Sequence, residues 1–458
     1  MRERTSHSVL SFFCLHARES FYKRLGDFFV CFFQKVYYNK IMDELKTNNL
    51  VLSSDDVEDA CDFVEDFSEK LGDLKGRLTG TAEETATARL IRDRLHMETS
   101  AKVRLEAYKA RPMAGRGSLT LLGCWFAICL VLYFLSFVWH RAAGIVLTLV
   151  ALVLFIAGLV AILLLFLGGG GKLKGLLPKK VSYNVVSERA PSVCERSKER
   201  TIIICSNHDA ALGNAIFDFA KLRSFAMVMA PISVLIFIVC CIVKMAVGTS
   251  SVGVITVLTI VPFLSSVVGI AVFFTHFSLS KKHARDRGGV ATSVALATYA
   301  YFVENPDLLP DDVRMVFASF GGENSAHGGS RAFVKNHAEF NNARVLCIGD
   351  ILDNNFGVTR GDYLRGINHS DLVVDAVINS AKEQGLHLEI NENNSVKDKV
   401  ACLHGFISNA FAQFNIPSAT ITAKHDDAVE RVVRREDVGR LFALSVTAVA
   451  HLLEEEIS

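Results

Sequence analysis

Four long, almost uncharged apolar segments constrain the fold of this chain more than any other feature of its sequence. Each reaches the roughly 20 residues that a helix needs to cross the hydrocarbon core of a bilayer. A strand of that length would leave backbone groups unpaired in lipid, so each segment is predicted to be a transmembrane helix. Short connections join the segments in pairs. This predicts two hairpins, made of residues 119–139 with 142–167 and of residues 225–247 with 252–277.

Lysine and arginine flank the outer ends of both predicted hairpins, whereas the turns within the hairpins carry almost none. Because positively charged flanks stay in the cytoplasm, we predict a multi-pass protein of the cell membrane whose termini and polar segments are all cytoplasmic. The lipid bilayer is then its first partner. Lys244, near the outer end of the third span, is expected to extend toward the membrane surface. The flanking residues are Lys102, Arg104, Lys109, Arg111 and Arg116 before the first span, Lys172, Lys174, Lys179 and Lys180 after the second, Lys221 and Arg223 before the third, and Lys281, Lys282, Arg285 and Arg287 after the fourth.

The composition excludes several other classes of protein. Half of the 458 residues are hydrophobic, in agreement with membrane segments. A formal net charge of +1 and the lack of a nucleic-acid motif argue against a nucleic-acid partner. The eleven cysteines contain no CxxC pair, so they are predicted to be small buried residues in a reducing compartment. Few polar side chains interrupt the spans, which disfavours a transporter or channel.

The first forty-one residues are poorly defined by their pattern. They are rich in Phe, Tyr and Cys, but charged residues interrupt every apolar run, unlike a signal peptide. Two interpretations remain open. Residues 1–41 are either an amphipathic segment at the membrane surface or an extension ahead of a start at Met42, which we favour.

The polar segments alternate helix and strand. In the first of them, Thr81 and Glu84 have the spacing of a capping box, which predicts a helix from Ala82. Further helices are predicted at 290–304, 370–384, 403–414 and 436–455. Strands are predicted at 103–108, 200–205, 313–320, 343–348, 387–390 and 418–422.

Polar residues follow three of the predicted strands directly, in the sequences SNHD, GGEN and GD. The carboxyl ends of strands are where open α/β sheets place their chemistry. Alternation of helix and strand implies a mostly parallel, mixed sheet with helices on both faces. The sequence therefore predicts an α/β domain with a site at one edge of its sheet.

Stretches across this pattern resemble the di-zinc aminopeptidase family, which includes bacterial leucyl aminopeptidases, aminopeptidase Y and the transferrin receptor. GRLTGTAEETATARLIRDRL resembles its opening helix, TIIICSNHDAA its first metal strand, and VRMVFASFGGENSAHGGSRAFVKNH its glutamate-pair strand and following helix. GGVATSVALATYAYF, FAQFNIPSATIT and HDDAVERV resemble later segments. The resemblance implies a zinc-exopeptidase-like three-layer sandwich. Its parts would be residues 42–116, 172–224 and 278–458, interrupted by the hairpins at 117–168 and 225–277.

The resemblance also implies roles for individual residues near the first metal strand. In this family two zinc ions activate a shared water, and a glutamate that is not a ligand takes the proton of that water. The first histidine ligand of the family falls on Asn207, with His208 next to it and Asp209 at the supporting position. The bridging aspartate falls on Arg285, with Asp286 adjacent. An arginine there would place a fixed positive charge where two dications should sit.

The remaining family positions are partly retained. The glutamate pair falls on Glu323, at the general-base position, and on Asn324, which replaces a ligand. The next aspartate falls on Gly349, with Asp350 adjacent, and the final histidine falls on His425. An amide is a poor zinc ligand compared with histidine or glutamate. Moreover, a displacement by one residue on a strand turns a side chain to the opposite face.

Two functions follow from these substitutions. The first is a pseudoenzyme with zinc absent or held at a single site, which binds or regulates a peptide or protein partner. The alternative is an active zinc-dependent exopeptidase with Glu323 as base and with His208, Asp286, Asp350 and His425 as ligands. Glu323 has a structural interpretation as well, as a cap for the helix that follows it.

Overall fold

The computed structural model describes most of the chain, and its described part contains one mixed sheet of eight strands. The described residues are 52–114, 118–139, 141–166, 175–192, 199–210, 220–247, 251–276, 289–323, 325–351, 354–362, 365–391, 406–423 and 433–454. Residues 1–41 and four of the predicted site positions, Arg285, Asp286, Asn324 and His425, lie outside them.

The sheet has the strand order β1-β2-β4-β3-β5-β10-β6-β9. Strands β3, β4, β5 and β10 run parallel to one another, and β6 is parallel to β9. The pairs β1–β2, β2–β4 and β6–β10 are antiparallel. The prediction of a mostly parallel, mixed sheet is confirmed. The bounds are β1 Lys102–Ala110, β2 Lys180–Arg189, β3 Arg200–Asn207, β4 Val313–Phe320, β5 Arg344–Ile348, β6 Phe356–Thr359, β9 Glu389–Asn391 and β10 Ser418–Ala423, with β7 Gly361–Asp362 and β8 Ile367–Asn368 forming a separate ladder.

Helices cover both faces of this sheet. Ile202 and Ile204 of β3 belong to a core shared with α1, α2, α7, α9 and α11, whereas Ile203 and Cys205 belong to a core with α8 and α10. Alternate residues of a buried strand face opposite sides, so the middle of β3, from Ile202 to Cys205, is apolar on both faces. The bounds are α1 Ser54–Asp73, α2 Ala82–Glu98, α3 Ser118–Leu135, α4 Arg141–Phe166, α5 Ala220–Val247, α6 Val252–His276, α7 Gly289–Glu304, α8 Gly328–Asn336, α9 Asp371–Glu383, α10 Ser408–Ala412 and α11 Arg435–Glu454.

Three helices of the described chain are long and apolar enough to cross a membrane. They contain the segments Ala142–Leu165, Val228–Val247 and Val252–Ala271. The apolar part of α3, Thr120–Leu135, is shorter. Three of the four predicted spans are therefore confirmed in length and composition, whereas the predicted span 119–139 extends beyond the shorter helix α3, which ends at Leu135.

Helices α3 to α6 pack around an aromatic centre. The rings of Phe126, Phe155 and Phe237 lie with centroids 4.9–5.3 Å apart, and Tyr133 joins them at 5.7 Å from Phe237. Phe237 belongs to the second hairpin and the other rings to the first. The two hairpins thus form one bundle, since Phe237 of the second packs among three rings of the first.

Lys244 lies inside this bundle. Its side chain is buried, its Nζ donates to the Ser136 hydroxyl, and the ammonium lies 3.2 Å from the ring centroid of Phe137. Thr148 donates to the same Ser136 hydroxyl at 3.0 Å. The prediction that Lys244 extends to the membrane surface is wrong, because aromatic and hydroxyl groups of the first hairpin surround the cation inside the bundle.

All four bundle helices connect to the sheet at the same end. We call this end the carboxyl edge: strands β1, β3, β4, β5 and β10 end there, and the antiparallel β2 begins there. β1 leads into α3, α4 leads into β2, and β3 leads into α5. α6 leads into α7, whose Thr292 hydroxyl donates to the carbonyl of Asn207 at 2.9 Å. Those predicted site residues that the structure describes, and the connections to the bundle, therefore share one edge.

Candidate functional site at the carboxyl edge

The ends of β3 and β4 set the geometry of the candidate site. Asn207 pairs in register with Phe320, and the amide of His208 donates to the carbonyl of Phe320 at 3.0 Å. Residues after these strands therefore leave the sheet side by side. Asp209 and Glu323 follow the two strands at the same edge, and both are buried.

Asn207 and Asp209 contact each other directly. The amide Nδ2 of Asn207 lies 3.3 Å from Oδ1 of Asp209. An amide nitrogen is a donor with no free pair for a metal. Oδ1 of Asp209 therefore accepts a hydrogen bond from Asn207. The resemblance would place a metal-bound histidine at position 207.

His208 faces away from this pair. Its Nδ1 lies 2.9 Å from the Ser319 hydroxyl, on the face of the sheet that packs against α7. Its Nε2 is buried without a hydrogen-bond partner in the described part of the chain. Burial, and secondarily the Arg77 guanidinium, lowers the pKa of His208 to about 3, so the ring is neutral at physiological pH. The alternation of the strand thus separates His208 from Asn207, and its predicted ligand role stays a prediction.

Glu323 caps the helix that follows it. Its Oε1 accepts from the backbone amide of Ser330 at 2.7 Å, and its Oε2 accepts from the Ser330 hydroxyl at 3.0 Å. Nδ1 of His327 lies 3.1 Å from the same Oε2. Ser330 is in the first turn of α8, where free amides and the helix dipole favour a carboxylate. The carboxylate at the predicted general-base position is therefore engaged in holding the start of α8.

Gly349 leaves no room for the ligand that the family has there. Its amide donates to the carbonyl of Ile421 at 2.8 Å, so its backbone is fixed against β10. A Cβ atom on Gly349 would lie 2.9 Å from Cγ2 of Thr420 and 3.2 Å from Cγ2 of Thr422. Neighbouring Asp350 accepts from the amide of Ala423 through its carbonyl at 3.1 Å. Two threonine methyl groups fill the space that an aspartate would need.

The described donors do not fit a pair of zinc ions. Within the described ranges, no group of three or more His, Cys, Asp or Glu side chains could hold a metal. Asn207 offers an amide, Gly349 no side chain, and Glu323 a carboxylate already bonded to α8. Whether Asp286 and His425 approach Asp350 stays a prediction, because both lie outside the described residues.

Glu84 belongs to the site, although the sequence pattern indicated only a helix cap. Thr81 does cap α2 by accepting from the amide of Glu84 at 3.3 Å. The Glu84 carboxylate, however, accepts from the amides of Gly80 at 2.6 Å and Gly322 at 2.9 Å, and from the Ser182 hydroxyl at 2.8 Å. The reciprocal half of the predicted capping box is wrong, because the side chain crosses to β2 and to the loop after β4.

The environment of Glu84 favours its protonated form. Its side chain is fully buried. Burial, and next the negative charge of Asp209, raises its pKa to about 8, although three hydrogen bonds act in the opposite direction. The carboxyl groups of Glu84 and Asp209 thus lie close together beside the loop that follows β4. Protonation of Glu84 limits the electrostatic repulsion between them.

Tyr108 is a second site residue that the sequence pattern did not indicate. Its hydroxyl donates to the carbonyl of Gly321 at 2.8 Å, and burial raises the pKa of the phenol well above its usual value. Gly322 has a φ of 59° and lies against this hydroxyl, so a side chain there would overlap it. The adjacent glycines before Glu323 were the available signal, since a close backbone approach requires glycine.

Glu84 is expected to make the stability of the protein depend on pH. Its pKa is 4.5 for an ordinary glutamate and about 8 in the fold, so the stabilisation from the bound proton is complete below pH 4.5 and is lost as the pH rises toward 8. We expect Glu84→Gln, which cannot titrate, to flatten this part of the pH profile of the apparent melting temperature. Differential scanning fluorimetry between about pH 5 and pH 8 measures it.

Glu69→Gln, on the exposed side of α1, is the control for loss of a carboxylate. Its profile should follow that of the wild type. If the melting temperature of the Glu84→Gln variant fell with pH as steeply as that of the wild type, the pH dependence could not be assigned to Glu84.

Comparisons with known proteins give weak structural similarities and no sequence relatives. The chain is similar to an aminopeptidase from Aneurinibacillus sp. strain AM-1 (TM-score 0.42, 10% identity, covering 86% of this chain and 93% of that one). It is also similar to a zinc aminopeptidase from Bacillus subtilis (0.43, 12%, 87% and 95%) and to a glutaminyl cyclase from Fimbriiglobus ruber (0.41, 12%, 88% and 97%). No protein-family model and no curated protein sequence matches the chain.

Proposed function

We propose that this chain is a membrane-embedded pseudoenzyme with a peptidase-like domain, which binds or regulates a peptide or protein partner and does not hydrolyse peptides. The observation that carries this proposal is the engagement of Glu323. Both of its oxygens accept hydrogen bonds from Ser330, and Oε2 also contacts His327. A general base needs a free lone pair directed at a water.

The substituted ligand positions support the same conclusion independently. The Asn207 amide donates to Asp209, and threonine methyl groups occupy the space beside Gly349. Restoring a ligand at position 349 would require the methyl groups of Thr420 and Thr422 to move as well as a new side chain. The differences from a zinc site therefore include the packing of β10 side chains against Gly349 as well as the substituted ligands.

Membrane embedding with four crossings is supported by the pairing of β1 with β2. These strands share nine register pairs from Lys102↔Glu188 to Ala110↔Lys180, so both lie on one side of any membrane. The chain between them contains α3 and α4. If α4 crosses the bilayer, α3 has to cross as well, since only an even number of crossings returns the chain to the same side. We infer that α3, despite its shorter apolar part, completes a hairpin.

The cytoplasmic orientation of the domain remains part of the proposal. It rests on the basic residues at the outer ends of the hairpins, such as Lys109, Lys179 and Lys180. A protease-protection assay on sealed vesicles, with a tag at the C-terminus, tests it. Protection of the tag on the luminal side would contradict it.

The catalytic part of the proposal predicts a low metal content. We expect full-length protein, purified in detergent without chelator, to contain well below two zinc ions per chain. Elemental mass spectrometry measures this zinc content. It should also show no chelator-sensitive hydrolysis across a panel of aminoacyl chromogenic substrates. Two tightly bound zinc ions, or hydrolysis abolished by Glu323→Gln, would favour the alternative of an active exopeptidase.

Stability provides the complementary readout for Glu323. Because its carboxylate holds the start of α8, Glu323→Gln is expected to lower the free energy of unfolding by about 1–3 kcal/mol. Ser330→Ala removes only the hydroxyl contact and keeps the backbone amide, so it should lower the free energy of unfolding by less. Equal stability of wild type and Glu323→Gln would contradict the capping role.

A further inference from the structure

We propose that the bundle-side end of the β1–β2 ribbon binds the head groups of anionic phospholipids at the mouth of the candidate site. The surface consists of Lys109, Arg111, Lys179 and Lys180. This inference rests on the proposed membrane embedding, and it names the partner and the surface.

The pairing of the ribbon brings these four cations together. Lys109 pairs in register with Val181, and Ala110 pairs with Lys180. Lys109 and Lys180 therefore occupy successive rungs and extend from opposite faces of the ribbon. Lys179 and Arg111 continue the two chains by one residue each. The end of the ribbon thus carries positive charge on both faces.

These cations have no acidic partner in the described residues. Lys109, Lys179 and Lys180 are exposed, and neither they nor Arg111 forms an ion pair there. Nε of Arg111 is buried and lacks a hydrogen-bond partner among the described atoms. The other end of the same ribbon differs, since Arg104 bonds to Glu188 at 3.3 Å and Arg314 bonds to the same carboxylate at 2.7 Å. Acidic side chains thus compensate part of the charge at the other end, whereas none of the described residues does so at the bundle-side end.

Chain length keeps this end within reach of the start of the bundle. Residues 111–117 connect Ala110 to the start of α3, and a chain of that length spans at most roughly 30 Å. Leu176, just before Lys179, is 83% exposed, and Val181 is 51% exposed. Exposed apolar side chains next to lysines are typical of segments that lie in the interfacial region of a bilayer. Anionic head groups supply the complementary charge.

The same surface is continuous with the candidate site. A side chain on Gly80 would clash with the Cβ of Lys180, so the two backbones are in close contact. Gly80 donates to Glu84, and Ser182, two residues after Lys180, donates to Glu84 as well. A head group bound at Lys180 would therefore lie at the entrance to the site and next to the residues that hold Glu84.

Lipid selectivity measured by electron paramagnetic resonance tests this proposal. Full-length protein is reconstituted in phosphatidylcholine vesicles that contain either spin-labelled phosphatidylserine or spin-labelled phosphatidylcholine. We expect phosphatidylserine to associate roughly fivefold more strongly at low ionic strength, since one basic residue near an anionic surface contributes about 1 kcal/mol. High salt should reduce this preference.

The variants assign the preference to the surface. The triple variant Lys109→Gln, Lys179→Gln, Lys180→Gln should associate equally with both lipids. The matched control is Lys102→Gln, Arg189→Gln, Lys335→Gln, which removes the same charge away from the bundle-side end of the ribbon. It should keep the wild-type preference. Equal association of both lipids with the wild type, or a preference retained in the first triple variant, would overturn the proposal.

The experiment also separates this proposal from the membrane embedding on which it rests. Absence of any motionally restricted lipid, together with release of the protein by alkaline carbonate, would overturn both. Restricted lipid without a preference for phosphatidylserine would overturn only the head-group site.

Discussion

Alanine at position 322 is expected to lower the apparent melting temperature of this protein by roughly 5 °C or more. Two effects add at this glycine. Its φ of 59° is strained for any residue with a Cβ, and that Cβ would overlap the Tyr108 hydroxyl. The phenol would have to move and lose its hydrogen bond to Gly321. Strain and displacement together should cost about 2–4 kcal/mol.

Two further variants separate these effects. Gly385 has a φ of 62°, and a Cβ atom added to it would have no other atom within 4 Å, so Gly385→Ala reports backbone strain alone, at about 1 kcal/mol. Tyr108→Phe removes the overlapping oxygen, so the double variant Gly322→Ala, Tyr108→Phe should recover part of the loss. If Gly322→Ala and Gly385→Ala melt at the same temperature, the overlap with the Tyr108 hydroxyl does not contribute to the loss of stability.

Deletion of α3 alone is expected to abolish the folded domain, whereas deletion of the whole first hairpin should preserve it. In the proposed topology, removal of residues 118–139 leaves α4 as the only crossing between β1 and β2, so the two strands would lie on opposite sides of the membrane. Removal of residues 118–166 keeps the two strands on one side. The hairpin deletion loses Phe126 and Phe155 from the bundle but leaves the sheet complete.

Limited proteolysis of the two deletion variants in native membranes provides the measurement. A protease-resistant fragment containing the sheet is expected for the wild type and the hairpin deletion. The α3 deletion should yield no such fragment. A resistant domain in the α3 deletion would contradict the four-crossing topology and would place α3 on the membrane surface.

The central strands follow from the sequence because each is long, apolar and followed by polar residues. Strand 313–320 was predicted with the bounds that the structure has, and the closing helix differs by one residue at each end. Burial on both faces produces continuous apolar runs, and these are the clearest local signal. Strands β6 to β8 have two to four residues each and were not predicted, since so short a segment shows no period.

The interior of the site was less predictable than the sheet. Glu84 and Tyr108 are far from Gly322 in sequence, and only tertiary packing brings them to it. A capping pattern indicated the start of α2 correctly but could not show where the Glu84 carboxylate bonds. The capping interpretation of Glu323 was available from the sequence as one of two roles. The contacts with Ser330 could be identified only in three dimensions.

The order of strands in the sheet also constrains how the protein is made. β2 pairs with β4, and β3 lies between β4 and β5, yet the second hairpin separates these partners along the chain. During synthesis, β1, β2 and β3 therefore leave the ribosome before their later neighbours exist. In the proposed topology, β2 and β3 then remain without these neighbours while α5 and α6 enter the membrane. Their unpaired edges are exposed in that interval and are open to wrong partners. The proposed topology therefore requires insertion of the second hairpin before the sheet can be completed.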